Sequence, residues 1–254
     1  EIAELCSVLP KYNGLFSTHI RGEGNNLLPS VKEVIWIAER AGVSLHISHL
    51  KAAGKRNWGQ IADALQLIED ARSRGMDVTC DVYPYNAGST SLTTILPPWV
   101  LEGGIESALE VLRDPSLRAR VREELSHEQT TWDNLVCSTG WQSVFLSAMH
   151  TETNRRLEGK HLAEISEIRG QHPADCMMDL LLEEEGRISI VYFHMSDEDV
   201  QQVVAYDKSL IASDSLTCDT GKPHPRLYGT FPRVFAKYVR EHRILTLEQA
   251  VRKV

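Results

Sequence analysis

Apolar strand-like runs alternate with segments of helical period in this chain, and that alternation constrains its fold more than any other feature. Leu15–Ile20 has strand character, and Pro29–Ala41 then carries apolar residues at helical spacing up to a glycine, which favours a helix end. Val43–Ser48 begins a second cycle, whose helix from about Trp58 to Arg74 also ends at a glycine. Repeated strand-helix cycles are typical of βα units around a parallel sheet, so the sequence predicts an α/β fold.

The middle of the chain breaks this rhythm. Helical runs at Ile105–Leu125, His161–Arg169 and Pro173–Glu185 surround a short strand-like stretch at Leu135–Cys137. We therefore interpret this part of the chain as an insertion or cap on a barrel.

Strand character returns at Ile188–Phe193 and Ser209–Ser213, separated by a helix that Ser196 is expected to cap. The sequence thus predicts a partial (β/α)8 TIM-like barrel that contains its C-terminal strands and an inserted, mostly helical segment. The predicted boundaries are barrel units at 1–96, the insertion at 97–186 and the final barrel units at 187–254.

Composition and charge favour a protein that binds small molecules. Hydrophobic residues make up 42% of the chain and charged residues 24%, as in ordinary globular proteins with a large core. The net charge of −8 argues against nucleic acids and anionic membranes as partners. Because neither a signal peptide nor an apolar run of about 20 residues is visible, we expect a cytoplasmic protein. We expect free, buried thiols at the five scattered cysteines: Cys6, Cys80, Cys137, Cys176 and Cys218.

The sequence at both ends of the chain resembles the interior of a helix. An amphipathic pattern starts directly at Glu1, and Thr246 with Gln249 three residues later forms the signature of a helix start with no stop signal after it. We expect both ends to lie inside a longer protein. A partial barrel leaves strand edges unpaired, so we also expect self-association into a homo-oligomer.

Polar residues follow the predicted strands, at the positions where the catalytic groups of barrel enzymes lie. His19, His49, the Tyr83–Tyr85 segment and Asp214 all come at strand ends, and the carboxyl ends of barrel strands form one open rim. Neutral imidazoles and a carboxylate suit a zinc ion that keeps one position for water. The pattern therefore supports the hypothesis of a zinc site.

Each of these residues also has a structural interpretation. A histidine at a strand end often serves as a hydrogen-bonded structural residue, and Asp214 is equally suited to cap a turn. His46 projects to the opposite face of its strand from His49, so we interpret it as a packed histidine. We interpret His194, which ends a later strand beside the insertion, as structural.

Five strings in order resemble the N-acyl-D-amino-acid deacylases of the amidohydrolase superfamily. The strings are Ser17–Arg21, Ser48–Lys51, Asp81–Thr90, Ala212–Ser215 and His224–Arg233. The resemblance extends over essentially the whole chain and includes Gln171–Leu182.

The resemblance implies a (β/α)8 barrel that holds zinc and hydrolyses the amide of an N-acyl-D-amino acid. It implies that His19 and His49 are metal ligands and that Asp214 is the acid-base carboxylate. It further implies that four residues hold the substrate carbonyl and carboxylate, namely Lys51, Tyr83, Ser89 and Arg226.

The chain also departs from the family pattern. The family's His-x-His pair and zinc-anchoring cysteine would lie upstream of Glu1, and neither Cys80 nor Cys218 falls in the corresponding motif. We therefore expect zinc to be weakly held or absent in this chain, and its isolated activity to be weak or lost. Two alternatives remain open: a related cyclic-amide or dipeptide hydrolase, and a non-catalytic domain that binds an anionic small molecule.

Overall fold

The computed structural model describes residues 1–217 and 220–254. Within them the chain packs into two units. The first unit comprises residues 1–86, 195–214 and 225–254, and the second comprises residues 87–194, 215–217 and 220–224.

The strands of the described residues are, in chain order, β1 (Leu15–Thr18), β2 (Ser44–Ile47), β3 (Val78–Val82), β4 (Ala87–Ser91), β5 (Val144–Met149), β6 (Ile188–Phe193) and β7 (Ser209–Ile211). The α-helices are α1 (Ile2–Cys6), α2 (Leu27–Ala41), α3 (Ile61–Ser73), α4 (Pro98–Leu101), α5 (Gly104–Arg113), α6 (Pro115–Ser126), α7 (Leu135–Thr139), α8 (Leu162–Arg169), α9 (Pro173–Glu183), α10 (Asp197–Ala205), α11 (Arg226–Arg233) and α12 (Leu247–Lys253). A π-helix at Val234–Glu241 continues α11. Short 3-10 turns lie at Leu9–Tyr12, Lys55–Asn57, Leu92–Ile95, Trp141–Ser143 and Arg155–Leu157.

The first unit is built on a parallel sheet in the order β1-β2-β3-β7. The pairing of Leu45 with Val78 sets the register of β2 against β3. Gly42 ends α2 with a φ of 67°, a left-handed conformation that glycine adopts without steric cost, and the chain then enters β2. The predicted α/β fold with a parallel sheet is confirmed.

The core of this unit lies where α2 and α3 pack with the apolar strands. Val31 and Ala38 of α2 and Ala64 and Ile68 of α3 are fully buried, at the helical spacing that the sequence predicts. Burial of such apolar surface contributes roughly 25 cal/mol per Å². The packed helices therefore hold the strand ends in fixed positions.

The second unit contains an antiparallel sheet in the order β4-β6-β5. A register shift between Leu146 and Ala148 marks an irregularity in β5. Helices α4 to α9 belong to the same unit, and α9 buries both methionines, Met177 and Met178. The helices predicted in this part of the chain are therefore present, together with strands β4 and β5, which the sequence analysis missed.

Two interpretations of short segments were wrong. Leu135–Cys137, predicted as strand-like, begins helix α7, because the Asn134 side chain accepts a hydrogen bond from the Cys137 N–H and caps the helix. Ile188–Phe193 is a strand as predicted, but it pairs antiparallel with β4 and β5 rather than joining the parallel sheet.

The helix caps and cysteines give a mixed outcome. Ser196 accepts a hydrogen bond from the N–H of Asp199, and Thr246 forms the predicted capping box. Among the described residues, three cysteines are free and buried as expected, whereas Cys137 is exposed. Cys218 lies outside the described residues. Every helix of the described chain is too short or too polar to cross a bilayer.

Candidate metal centre

Two histidines meet at the carboxyl ends of adjacent parallel strands. His19 directly follows β1 and His49 follows β2 by two residues. Because β1 and β2 are neighbours, both side chains reach the same edge of the sheet. Nδ1 of His19 lies 3.0 Å from Nε2 of His49. The sequence therefore predicted correctly that these two residues come together.

Glu23 is the third member of this cluster, and the sequence analysis missed it. Its Oε1 atom lies 3.0 Å from Nδ1 of His49 and 3.7 Å from Nδ1 of His19. One potential ligand atom from each of the three residues fits within 4.8 Å of the others. The available signal was its position four residues after His19, between two glycines.

Lys51 is held beside the same carboxylate. Its ammonium donates to Glu23 Oε1 and lies 2.8 Å from Nδ1 of His49, and the side chain is only 6% exposed. A buried lysine is costly unless it is paired. The ion pair with Glu23 therefore fixes the Lys51 ammonium next to the two imidazoles.

Asp81 supports His49 from the neighbouring strand β3. Its Oδ1 accepts a hydrogen bond of 2.8 Å from the His49 N–H, and its Oδ2 lies 2.7 Å from Nε2 of His46. The backbone of His49 has a φ of 38°, a left-handed conformation that is unfavourable for residues with a Cβ. His46, which also contacts Thr79, is thus a hydrogen-bonded partner of Asp81 behind the cluster.

A second group of predicted residues surrounds the Tyr83 ring. The Arg226 guanidinium lies 4.5 Å from the ring centroid, and the Lys51 ammonium lies 5.7 Å from it. Nη1 of Arg226 forms a 2.8 Å ion pair with Oδ2 of Asp214, which follows β7 with a φ of 46°. Tyr83 therefore connects the Lys51 side of the cluster with the Arg226–Asp214 pair.

Burial and neighbouring charges set the protonation of the site. Desolvation lowers the pKa of His19, and the neighbouring His49 and Lys51 act in the same direction while the Glu23 carboxylate opposes them. Burial alone would raise the pKa of the Glu23 carboxyl, but the Lys51 ammonium and His49 hold it well below its ordinary value. Burial raises the pKa of the Tyr83 hydroxyl. At neutral pH the site thus contains a carboxylate, a neutral His19 and a protonated phenol.

Two other residues singled out in the sequence belong to the second unit. Ser89 lies in β4 and pairs with Val191 of β6. His194 follows β6 and is buried. The roles predicted for these two residues stay predictions.

Comparisons with known proteins agree with this geometry. The chain is 33% identical over 254 residues to a D-aminoacylase from Alcaligenes xylosoxydans xylosoxydans, a match that covers all of this chain and 42% of the relative. The chain therefore spans about two fifths of the length of that relative. No protein-family model matches the chain.

Solved structures show the same relationship. The crystal structure of a D-aminoacylase that defines a subset of amidohydrolases matches 99% of this chain, with 31% identity, a TM-score of 0.70 and 43% of that protein covered. N-acyl-D-glutamate deacylase from Bordetella bronchiseptica, solved with zinc and a phosphonate inhibitor, matches 100% of this chain, with 26% identity, a TM-score of 0.73 and 44% covered. Over its whole length the chain is therefore similar in sequence and fold to D-aminoacylases of the amidohydrolase group.

Proposed function

We propose that the chain forms part of the active site of a zinc-dependent hydrolase that cleaves the amide bond of N-acyl-D-amino acids. The observation that carries this proposal is the approach of two imidazole nitrogens, on His19 and His49, to 3.0 Å at one edge of a parallel sheet. The names of the relatives supply the reaction and the substrate class.

The chemistry of the side chains fits zinc. Imidazole nitrogen and carboxylate oxygen are both ordinary zinc donors. His19 and His49 would hold the ion, with the Glu23 carboxylate beside them. When bound, zinc supplies Lewis acidity that polarises an amide carbonyl and acidifies water.

The other residues are suited to the remaining tasks of amide hydrolysis. Asp214 would take a proton from the attacking water and return it to the leaving nitrogen. The protonated Tyr83 hydroxyl and the Lys51 ammonium would donate to the substrate carbonyl oxygen, where negative charge develops. Arg226 would bind the substrate carboxylate, for which the planar guanidinium is well suited. A substrate-binding role of Ser89 stays a prediction.

We further propose that the parallel sheet is part of a (β/α)8 barrel, with barrel units in residues 1–86, 195–214 and 225–254. The predicted bounds of 1–96, 97–186 and 187–254 shift because β4 and β6 belong to the antiparallel sheet. Strands that end in metal and acid-base residues at one sheet edge are typical of that architecture. The cytoplasmic location and the homo-oligomer stay predictions.

The experiment measures zinc binding and amide hydrolysis together. We expect one zinc-dependent, chelator-sensitive activity on N-acyl-D-amino acids, lost with His49→Ala and retained with His127→Ala, whose imidazole is 66% exposed. Because the relative is more than twice as long as the chain, we expect weaker turnover from residues 1–254 alone than from a longer protein. Turnover of cyclic amides only, or zinc-independent ligand binding without turnover, would overturn the proposal.

A further inference from the structure

Nδ1 of His49 faces two competing partners. Glu23 Oε1 lies 3.0 Å from this nitrogen, and Lys51 Nζ lies 2.8 Å from it. Lys51 also donates to Glu23, so the three groups form a closed triangle. On the other side of the ring, Nε2 lies 3.0 Å from Nδ1 of His19.

A neutral imidazole carries one hydrogen, so its two nitrogens cannot both accept or both donate. If the Lys51 ammonium donates to Nδ1 of His49, the imidazole hydrogen lies on Nε2 and points to Nδ1 of His19. If Nδ1 instead donates to the Glu23 carboxylate, Nε2 presents a lone pair. The two partners therefore favour opposite tautomers of His49.

Three of the four contacts fit one arrangement of hydrogens. Lys51 donates to Glu23 and to Nδ1 of His49, and His49 Nε2–H donates to Nδ1 of His19, so each of these three contacts pairs one donor with one acceptor. The fourth contact is unfavourable in this arrangement, because Glu23 Oε1 faces a lone pair of Nδ1 at 3.0 Å. A metal ion needs lone pairs on both facing nitrogens, which this arrangement does not provide. Metal binding thus requires the other tautomer of His49.

We propose that Glu23 is a positioning residue that selects the metal-binding tautomer of His49, and that metal binding releases Lys51 from His49. Nε2 releases its hydrogen to solvent and Nδ1 takes one up, and the new Nδ1–H donates to the Glu23 carboxylate. The total charge of the cluster is unchanged. Lys51 keeps its ion pair with Glu23 and turns its other hydrogens away from the imidazole. This inference rests on the proposed zinc site of His19 and His49.

The Tyr83 ring lies on the side towards which the released Lys51 ammonium can turn. The Lys51 ammonium lies 5.7 Å from the centroid of the Tyr83 ring, which also carries the Arg226 guanidinium. A Lys51 hydrogen that no longer bonds to His49 becomes available to a substrate oxygen on that side. Metal binding and the availability of the Lys51 ammonium to a substrate are therefore coupled through the Glu23 carboxylate.

Two substitutions in the protein separate this role from a simple ion pair. Glu23→Gln places an amide beside Nδ1, and we expect zinc affinity to fall about 10- to 100-fold, as for other supporting carboxylates of metal-bound histidines. Lys51→Met removes the competing donor, and we expect zinc affinity to be unchanged or higher. If the Glu23–Lys51 pair only maintained the fold, both substitutions would lower zinc affinity.

The decisive measurement is the ¹⁵N NMR spectrum of the His49 imidazole. Without zinc we expect the Nε2–H tautomer in the unsubstituted protein and in Glu23→Gln, and the Nδ1–H tautomer in Lys51→Met. Addition of zinc should convert the unsubstituted protein to the Nδ1–H tautomer. An Nδ1–H tautomer in zinc-free Glu23→Gln would overturn the inference.

Glu33→Gln is the matched control, because Glu33 pairs with Arg21 on an exposed part of the same unit. We expect this variant to keep both the zinc affinity and the His49 tautomer. If the unsubstituted protein binds no zinc that depends on His49, the proposed function itself fails. If it binds zinc and Glu23→Gln binds equally well, the inference about Glu23 alone fails.

Discussion

At the scale of single residues, Arg226 brings a guanidinium into the site on a side chain that is only 2% exposed. It stacks on the Tyr83 ring and pairs with Asp214. A buried cation that already has an aromatic face and a carboxylate has a fixed position before any ligand arrives. Such a group is suited to orient an anionic substrate without a large loss of side-chain entropy.

Arg226→Lys tests this role. Lysine keeps the charge but loses the planar fork and the stacking area on Tyr83. We expect KM for N-acyl-D-amino acids to rise by about tenfold or more, on the order of 1–3 kcal/mol of lost binding, with a smaller change in kcat. Steady-state kinetics with purified variants measures both constants.

Arg233→Lys is the control for this prediction. Arg233 stacks on Tyr85 at 4.6 Å and donates to the carbonyl oxygen of Pro84, so it supports the same Tyr-Pro-Tyr segment through a similar contact. We expect its KM to stay close to that of the unsubstituted protein. Equal increases in KM for the two variants would show that the segment, rather than the Arg226 guanidinium, binds substrate.

The sequence predicted that His19 and His49 lie close together, because the end of a strand can be recognised from the local sequence. An apolar run with alternating burial ends at a polar residue, and parallel neighbours bring such ends to one edge. Glu23 has no such signal, because it lies in a glycine-rich turn whose direction depends on the surrounding packing. Its contact with Lys51 joins residues 28 positions apart, which periodicity does not reveal.

At the scale of elements, periodicity identified α2 and α3 because each buries one continuous apolar side. It did not assign a partner to β6, whose apolar run is compatible with either a parallel or an antiparallel sheet. It also mistook the start of α7 for a strand, because only five residues form that helix and its cap decides its conformation. Strand pairing and short capped helices depend on contacts that are distant in sequence.

Glu184 is an element-scale anchor in the second unit. Its two carboxylate oxygens accept hydrogen bonds from the N–H groups of His150 and Thr151, from the Thr151 hydroxyl and from the Asn154 side chain. The side chain is fully buried at the end of α9. It therefore attaches the segment after β5 to that helix.

Glu184→Gln replaces one acceptor oxygen with a donor, so at least one of these donors loses its partner. We expect the free energy of unfolding to fall by about 1–3 kcal/mol, measured by urea denaturation at pH 7. Glu185→Gln is the control, because Glu185 is an exposed neighbour paired with Arg187, and we expect it to change stability little.

The difference in the free energy of unfolding between the unsubstituted protein and Glu184→Gln is expected to depend on pH. Burial alone would raise the pKa of Glu184, but its hydrogen bonds from Thr151, Asn154 and His150 lower it below its ordinary value. The carboxylate therefore stabilises the fold above the unfolded pKa of about 4.3, and this contribution is lost as pH falls towards the lower folded pKa. The stability difference between the unsubstituted protein and Glu184→Gln should shrink below about pH 4. A constant difference down to pH 3 would contradict this account.

At the scale of the whole molecule, the order of the parallel sheet leaves two edges. Strand β1 lies at one end of the sheet and β7 at the other, among the strands that the structure describes. The β1 sequence, Leu15–Thr18, contains neither a charged residue nor a proline, the usual protections of an edge strand. Exposed apolar side chains precede it at Leu5, Val8 and Tyr12. An edge of this kind is a template for pairing with a second chain.

We therefore predict that the chain self-associates through β1 and that Leu15→Lys weakens this association. Leu15 is 51% exposed, so lysine enters without a cavity in the core, and its charge opposes edge-to-edge pairing. Sedimentation velocity over a range of concentrations should show larger species for the unsubstituted chain and a shift towards monomer for Leu15→Lys. Leu247→Lys places the same charge on helix α12 at a residue that is 57% exposed, and it should leave the distribution unchanged. A monomeric unsubstituted chain at all concentrations, or equal effects of the two lysines, would contradict pairing at β1.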